Sequence, residues 1–262
     1  MKLFTSLLVS VALLATGAAN ASIITAQDNF NNGANGGTGW SGAWEFAPAE
    51  KPSKKNPNPI APASIVNSSL VFVGNDDNAA YRNLSATHNS AVFVDFTLTY
   101  SGELGANDFV GLWFDAFNGP NIGLKANCGD TKKGSTCTND LFVRTGGTDG
   151  VFLSNSTLVA GQSYQVFGHL YKSDDQPNKQ YDRFDAWFKL AGSDLVLGTA
   201  NAKGKSNISS FDQIGFRSMN IDNGVNISID DLRVSEVPEP GSVALMGLAL
   251  AGFAAASRRK RS

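Results

Sequence analysis

Two of the residue types that carry most metal and nucleophile chemistry are scarce in this 262-residue chain, which has only two histidines, His88 and His169, and two cysteines, Cys128 and Cys137. A tetrahedral zinc site wants four ligands, so this stock does not furnish one, and it gives a cysteine nucleophile no clear partner. Glutamate is sparse too. Before residue 237 it occurs only at Glu45, Glu50, Glu103 and Glu236, and none falls in a Glu-x-Asp-x-x-Glu strand, the pattern that sets two carboxyls ~5–5.5 Å apart for retaining glycoside hydrolysis. Gln165 and His169 are too far apart for the Gln-x-His pair of a strand-borne polysaccharide lyase. Gly-x-Ser-x-Gly, P-loop and dinucleotide fingerprints are absent. Charge is low as well, at 17% of residues with a net −2, so no broad basic face is available and nucleic acid is excluded as a main partner. The sequence therefore predicts no enzyme, although its eighteen aspartates leave room for two carboxylates to meet in space.

What is present begins with an address at each end. Met1 and Lys2 precede an apolar run from Leu3 to Ala15 and a small-residue stretch closing in Ala19-Asn20-Ala21, the order of a secretory signal peptide cleaved after residue 21. At the other end Val237-Pro238-Glu239-Pro240 leads into sixteen small or apolar residues, Gly241 to Ala256, and then Arg258-Arg259-Lys260-Arg261. The prolines stop the preceding segment from continuing. The apolar run makes roughly 24 Å of helix, marginal for a ~30 Å hydrocarbon core, and the cations hold its end in the cytoplasm.

This tail resembles the PEP-CTERM sorting signal of exopolysaccharide-producing Gram-negative bacteria. The resemblance implies recognition by an exosortase after passage through the secretion machinery, a transient membrane anchor, and removal of the helix near Pro238 to Pro240. The expected route is export, an inner-membrane intermediate with a cytoplasmic C-terminus, and then the cell surface or extracellular matrix. Three parts follow: residues 1–21 as signal peptide, 22–236 as passenger and 237–262 as sorting signal. The passenger's 215 residues carry 16 cations and 22 anions, so the near-neutral whole hides a body of about −6.

Within the passenger no helical period of convincing length appears, while alternating apolar runs recur between Gly, Asn, Asp and Ser. The alternation predicts strands over 91–100, 109–117, 141–144, 163–172, 181–190, 211–217 and 225–234. Shorter ones are expected at 23–30, 43–46, 70–73 and 150–153. That density of short strands predicts an all-β antiparallel sandwich or jelly roll. Residues 48–62, with five of the nine prolines, read as an exposed loop.

Asp28-Asn29-Phe30, the Gly-Gly-Thr-Gly-Trp and Ser-Gly-Ala-Trp segments around Trp40 and Trp44, and the last strand Ile227-Ser228-Ile229-Asp230-Asp231-Leu232-Arg233-Val234 resemble concanavalin-A-like and carbohydrate-binding-module jelly rolls. The resemblance implies paired first and last strands and acidic residues near their ends holding a structural Ca²⁺, which points to Asp28, Asp230 and Asp231. Those aspartates would otherwise satisfy turn amides. Trp40 and Trp44 are expected to pack.

Cys128 and Cys137 bracket a short glycine-containing loop, and in an exported protein a disulfide between them is the default. For binding, each long strand has one apolar face and one that mixes aromatics with polar groups. Trp113, Trp187 and Tyr171, with Asp115, Asp185 and His169 bonding hydroxyls, would form a sugar-stacking platform if their strands share a sheet. The alternative is that the tryptophans pack under the Pro-rich loop or against the opposite sheet. Two functions remain open: a non-enzymatic module binding carbohydrate such as exopolysaccharide, and a structural or adhesion protein acting through protein contacts.

Overall fold

The computed structural model describes residues 23–48, 62–74, 76–105, 108–115, 119–128, 137–146, 150–174, 178–221 and 224–236. The expected signal peptide and sorting tail, most of the Pro-rich loop, Phe117 and residues 129–136 lie outside them. The described body forms one compact unit, Ile24–Ser235.

Strands follow one another along this body with a single short 3₁₀ turn at Gly33–Asn35. They are β1 (Ile23–Asp28), β2 (Glu45–Phe46), β3 (Ser64–Val66), β4 (Ser69–Val73), β5 (Asp76–His88), β6 (Val92–Ser101), β7 (Phe109–Phe114) and β8 (Asn121–Asn127) in the first half. The second half holds β9 (Thr138–Arg144), β10 (Val151–Phe152), β11 (Ser163–Tyr171), β12 (Arg183–Leu190), β13 (Val196–Lys203), β14 (Phe211–Ile221) and β15 (Asn226–Glu236). One sheet runs β13-β12-β11-β6-β15-β4-β3 with β1 also on β15, and the other runs β10-β9-β8-β7-β14-β5-β2. The chain is thus an all-β antiparallel sandwich, as the alternation predicts, and its first and last strands pair.

Alternation sets the core. β6 and β11 bury every second residue, so Val92, Val94, Phe96 and Leu98 face inward beside Val166 and Leu170, and meet Val110, Leu112 and Phe114 of β7. Aromatic pairs bridge the layers: Phe96 packs edge-on to Phe216 at 5.2 Å and Phe114 to Phe184 at 5.7 Å. Each such buried ring contributes about 1.5–3 kcal/mol.

Four strands were not expected: β3, β5, β8 and β13. The longest of them, β5, conceals its period because three of its buried positions, Asn78, Arg82 and His88, are polar, beside the apolar Ala80 and Leu84. In β15 the inward positions step from Ile229 to Leu232, and Asp231 takes a left-handed φ of 50°. This extra residue resets the phase, as a β-bulge does.

Candidate functional site

Residues of the first sheet that alternation excludes from the core line its outer face. Register places Phe93 of β6, His169 of β11, Asp185 of β12 and Asn201 of β13 in one row, and Asp95, Phe167, Trp187 and Thr199 in the next. The rings stack across strands. His169 lies between Phe93 at 4.1 Å and Tyr171 at 4.6 Å, and Trp187 lies parallel to Phe167 at 5.4 Å. All five rings are half-buried. Polar groups flank them: Asp185 accepts from Asn201 Nδ2 at 2.7 Å, and Asp95 Oδ1 accepts from Arg233 Nε and Nη2 at 2.9 and 2.6 Å.

The electrostatics follow from half-burial. Desolvation pushes the His169 imidazole below its ordinary range, only partly opposed by Asp185, and its Nε2 is buried with no hydrogen-bond partner. Burial also outweighs Arg233 at Asp95 and raises that carboxyl. The Tyr171 hydroxyl is raised by burial and by Asp185 beside it. A face of rings interleaved with a carboxylate and an amide suits a polyhydroxylated ligand.

Four of the six expected ligand-binding residues, Trp187, Tyr171, His169 and Asp185, therefore come together. Trp113 does not join them. Its strand, β7, belongs to the other sheet, where Trp113 sits opposite Gly215 and Asn121 on that sheet's outer face, packed with Phe109 and Phe142. Asp115 lies past the end of β7 with φ 57°, and its amide donates to the Gln213 carbonyl at 2.9 Å, so the strand's alternation stops before it. Sequence reasoning missed Phe93, Asp95 and Asn201. The first two were legible as the off-face residues of an alternation already recognised.

At the sandwich end, Asp28 and Asp231 line a cleft of about 500 Å³ with Gln27, Thr38 and Arg233. Asp28 is committed elsewhere: Oδ2 is 2.7 Å from Arg82 Nη1 and 2.9 Å from Trp44 Nε1, and Oδ1 accepts from the Phe30 amide at 2.8 Å. Asp230 Oδ1 accepts from the Asp231 amide at 2.7 Å, and burial with Asp231 nearby leaves the Asp230 carboxyl raised. A calcium ion wants free carboxylate oxygens; on Asp28, Oδ2 is taken by Arg82 and Trp44, while Oδ1 is held by the Phe30 amide alone. Among the described residues no three His, Cys, Asp or Glu side chains are grouped to hold a metal. Trp44 packs against Phe30, and Trp40 lies under the Arg82 guanidinium.

Cys128 and Cys137 form a disulfide. It bridges the two ends of the loop that joins β8 to β9, directly beyond the Asn127–Thr138 pair.

Residues 236–260 match the PEP-CTERM protein-sorting motif, so the chain carries an export and sorting signal. No curated protein sequence matches the chain. Among solved structures, the chain is similar to the metal-free VIP36 exoplasmic/lumenal domain, at 9% identity over 82% of this chain and 91% of that one, with a TM-score of 0.50. It is also similar to the binding domain of botulinum neurotoxin serotype D/C, at 11% identity over 88% and 52% of the two chains with a TM-score of 0.49. A glycosyl hydrolase family protein from Mycobacterium fortuitum matches at 10% identity over 80% and 99%, with a TM-score of 0.47. The likeness is one of fold. Among the described residues no helix is long and apolar enough to cross a membrane.

Proposed function

We propose that this exported protein is a non-enzymatic carbohydrate-binding module that holds polysaccharide, with the cell's own exopolysaccharide as the ligand, against the outer face of the first sheet. The observation that carries the reading is the pair of in-register rows in which Trp187, Phe167, Phe93 and His169 alternate with Asp95, Asp185 and Asn201. Saccharide rings stack on the exposed side of Trp187, and Asp185 and Asn201 receive and donate hydroxyl hydrogen bonds. The tail supports a route in which an exosortase recognises Pro238, Glu239 and Pro240 while Arg258, Arg259, Lys260 and Arg261 hold the C-terminus in the cytoplasm.

Affinity electrophoresis through gels containing neutral polysaccharides tests the site. The wild type should be retarded by at least one of them and Trp187→Ala should not. Free migration of the wild type through every gel, or undiminished retardation of the variant, would sink it. The second reading, a matrix protein acting by self-association, draws on Val66 and Val73, apolar residues exposed on the edge strand β3 and its neighbour β4. Concentration-dependent assembly in small-angle scattering would favour it.

A further inference from the structure

One row of the first sheet's outer face continues past its aromatic rings. Thr199, Trp187, Phe167 and Asp95 are successive partners across β13, β12, β11 and β6, and Asp95 accepts two hydrogen bonds from Arg233 on β15, the next strand. Arg233 in turn lines the cleft of about 500 Å³ with Gln27, Asn32, Thr38 and Asp231. Row and cleft therefore form one track, which from β13 to β15 covers roughly 20 Å at ~4.8 Å per strand. The local cause is the bulge in β15. Its extra residue at Asp231, φ 50°, turns Arg233 outward beside Asp95 while Ile229 and Leu232 stay buried. The far wall of the cleft is held firmly: Gln27 and Thr38 exchange two backbone hydrogen bonds of 2.9 Å, and Trp40 Nε1 donates to the Gln27 carbonyl at 3.0 Å. Gln27, Asn32 and Thr38 are nevertheless exposed, so fixed backbone carries side chains open to a ligand.

We propose that a single uncharged polysaccharide chain lies across the strands along this track, stacked on Trp187 at one end and seated in the cleft against Gln27, Asn32 and Thr38 at the other. The inference rests on the preceding reading and adds to it a direction, a second subsite and a ligand class. Direction comes from register, because the ring of Trp187 and the cleft are joined by one row that crosses the strands, with the Asp95–Arg233 pair between them. The subsite comes from the chemistry of the cleft. Among the described residues no aromatic ring lines it, whereas the amides of Gln27 and Asn32 and the hydroxyl of Thr38 each donate and accept, which matches sugar hydroxyls. One end thus grips by stacking and the other by hydrogen bonds. Charge gives the class. Arg233 is answered by Asp95, and Lys189, 5.6 Å from the Phe167 ring centre, has Asp194 at 4.0 Å. Asp231 is exposed in the cleft. Burial raises the carboxyls of Asp95 and Asp230, and Asp231 adds to the rise at both, so a uronic acid laid on this track meets a negative field.

The test is affinity electrophoresis of the full-length protein through gels containing dextran, galactomannan, hydroxyethylcellulose or polygalacturonate. Retardation is expected in at least one of the three neutral gels and not in polygalacturonate. Oligosaccharides cut from the retarding polymer are then added as competitors. Their affinity should rise with chain length and level off once the track is filled. Gln27→Ala, Asn32→Ala and Thr38→Ala should each weaken the long competitors about threefold, the range for one neutral hydrogen bond, and leave a disaccharide unaffected. All three remove exposed side chains and keep the backbone bonds of the wall, so where one variant fails to fold the other two decide. Trp187→Ala should weaken short and long competitors alike. Loss of binding in Trp187→Ala with wild-type affinity for long competitors in the folded cleft variants overturns this proposal and leaves the preceding reading standing. Affinity that stops rising at the disaccharide, or equal retardation in polygalacturonate, overturns it too. Free migration of the wild type through every neutral gel overturns both.

Discussion

The carboxylate of Asp28 and the guanidinium of Arg82 meet at 2.7 Å with side chains 0% and 4% exposed, and they tie β1 in one sheet to β5 in the other. Arg82 also donates to the carbonyls of Gly42 at 2.6 Å and Gly36 at 2.7 Å, so its charge is surrounded by acceptors. Breaking one side leaves a buried charge unanswered, at a cost of about 3–5 kcal/mol. Arg82→Met or Asp28→Asn should therefore lower the melting temperature by roughly 10 °C in a body of this size. The double variant should recover part of that loss. A single variant that melts with the wild type would show that the pair does not clamp the sheets.

Because Asp28 is occupied by Arg82, Trp44 and the Phe30 amide, a chelator should leave the melting temperature unchanged. A fall of several degrees on chelation, restored by calcium, would instead put an ion in the cleft beside Asp230 and Asp231.

Reduction of the Cys128–Cys137 bond should destabilise the body by about 2–3 kcal/mol, the chain-entropy value for a loop of about ten residues. Denaturant unfolding with and without reductant measures it. A loss near zero would mean that the β8–β9 hairpin holds its own register.

His169 sets a pH dependence. Its folded value lies below the ordinary histidine range, so the unfolded chain takes up the proton first as pH falls. The contribution is complete above about pH 6.5, the unfolded value, and is lost as pH falls through the folded value. The stability of wild type relative to His169→Phe should fall as pH drops below about 6.5 and level off once pH is below the folded value. Parallel curves would remove His169 as the cause.

Gly123 tests the floor of the second sheet. A Cβ there would lie 2.1 Å from the Val110 carbonyl oxygen and 2.3 Å from the Gly111 Cα, both backbone atoms of the adjoining strand. Gly123→Ala should thus cost about 1–3 kcal/mol or more. Full stability would show that the strands can part without cost.

The sandwich was legible wherever one face of a strand is uniformly apolar, as with Val92, Val94, Phe96 and Leu98 in β6. It was hidden where polar residues point inward, because Arg82 in β5 finds its partner 54 positions away and nothing local announces that. The candidate site was half legible for a related reason. Alternation shows which side of its own strand Trp113 or Trp187 occupies, but sheet membership depends on pairing across the chain. Trp187 falls opposite Phe167 while Trp113 falls opposite Gly215, so one imagined platform becomes two faces.

The position of β15 has a consequence for biogenesis. The strand ends at Glu236, where the sorting motif begins, yet it lies between β6 and β4 and also pairs with β1. Until it arrives, β4 and β6 have nothing to join them, and the sheet is two fragments. Such end-to-end pairing is slow to close. Closure of the first sheet must accordingly wait until β15, the last stretch of the described body, is available to join its two fragments.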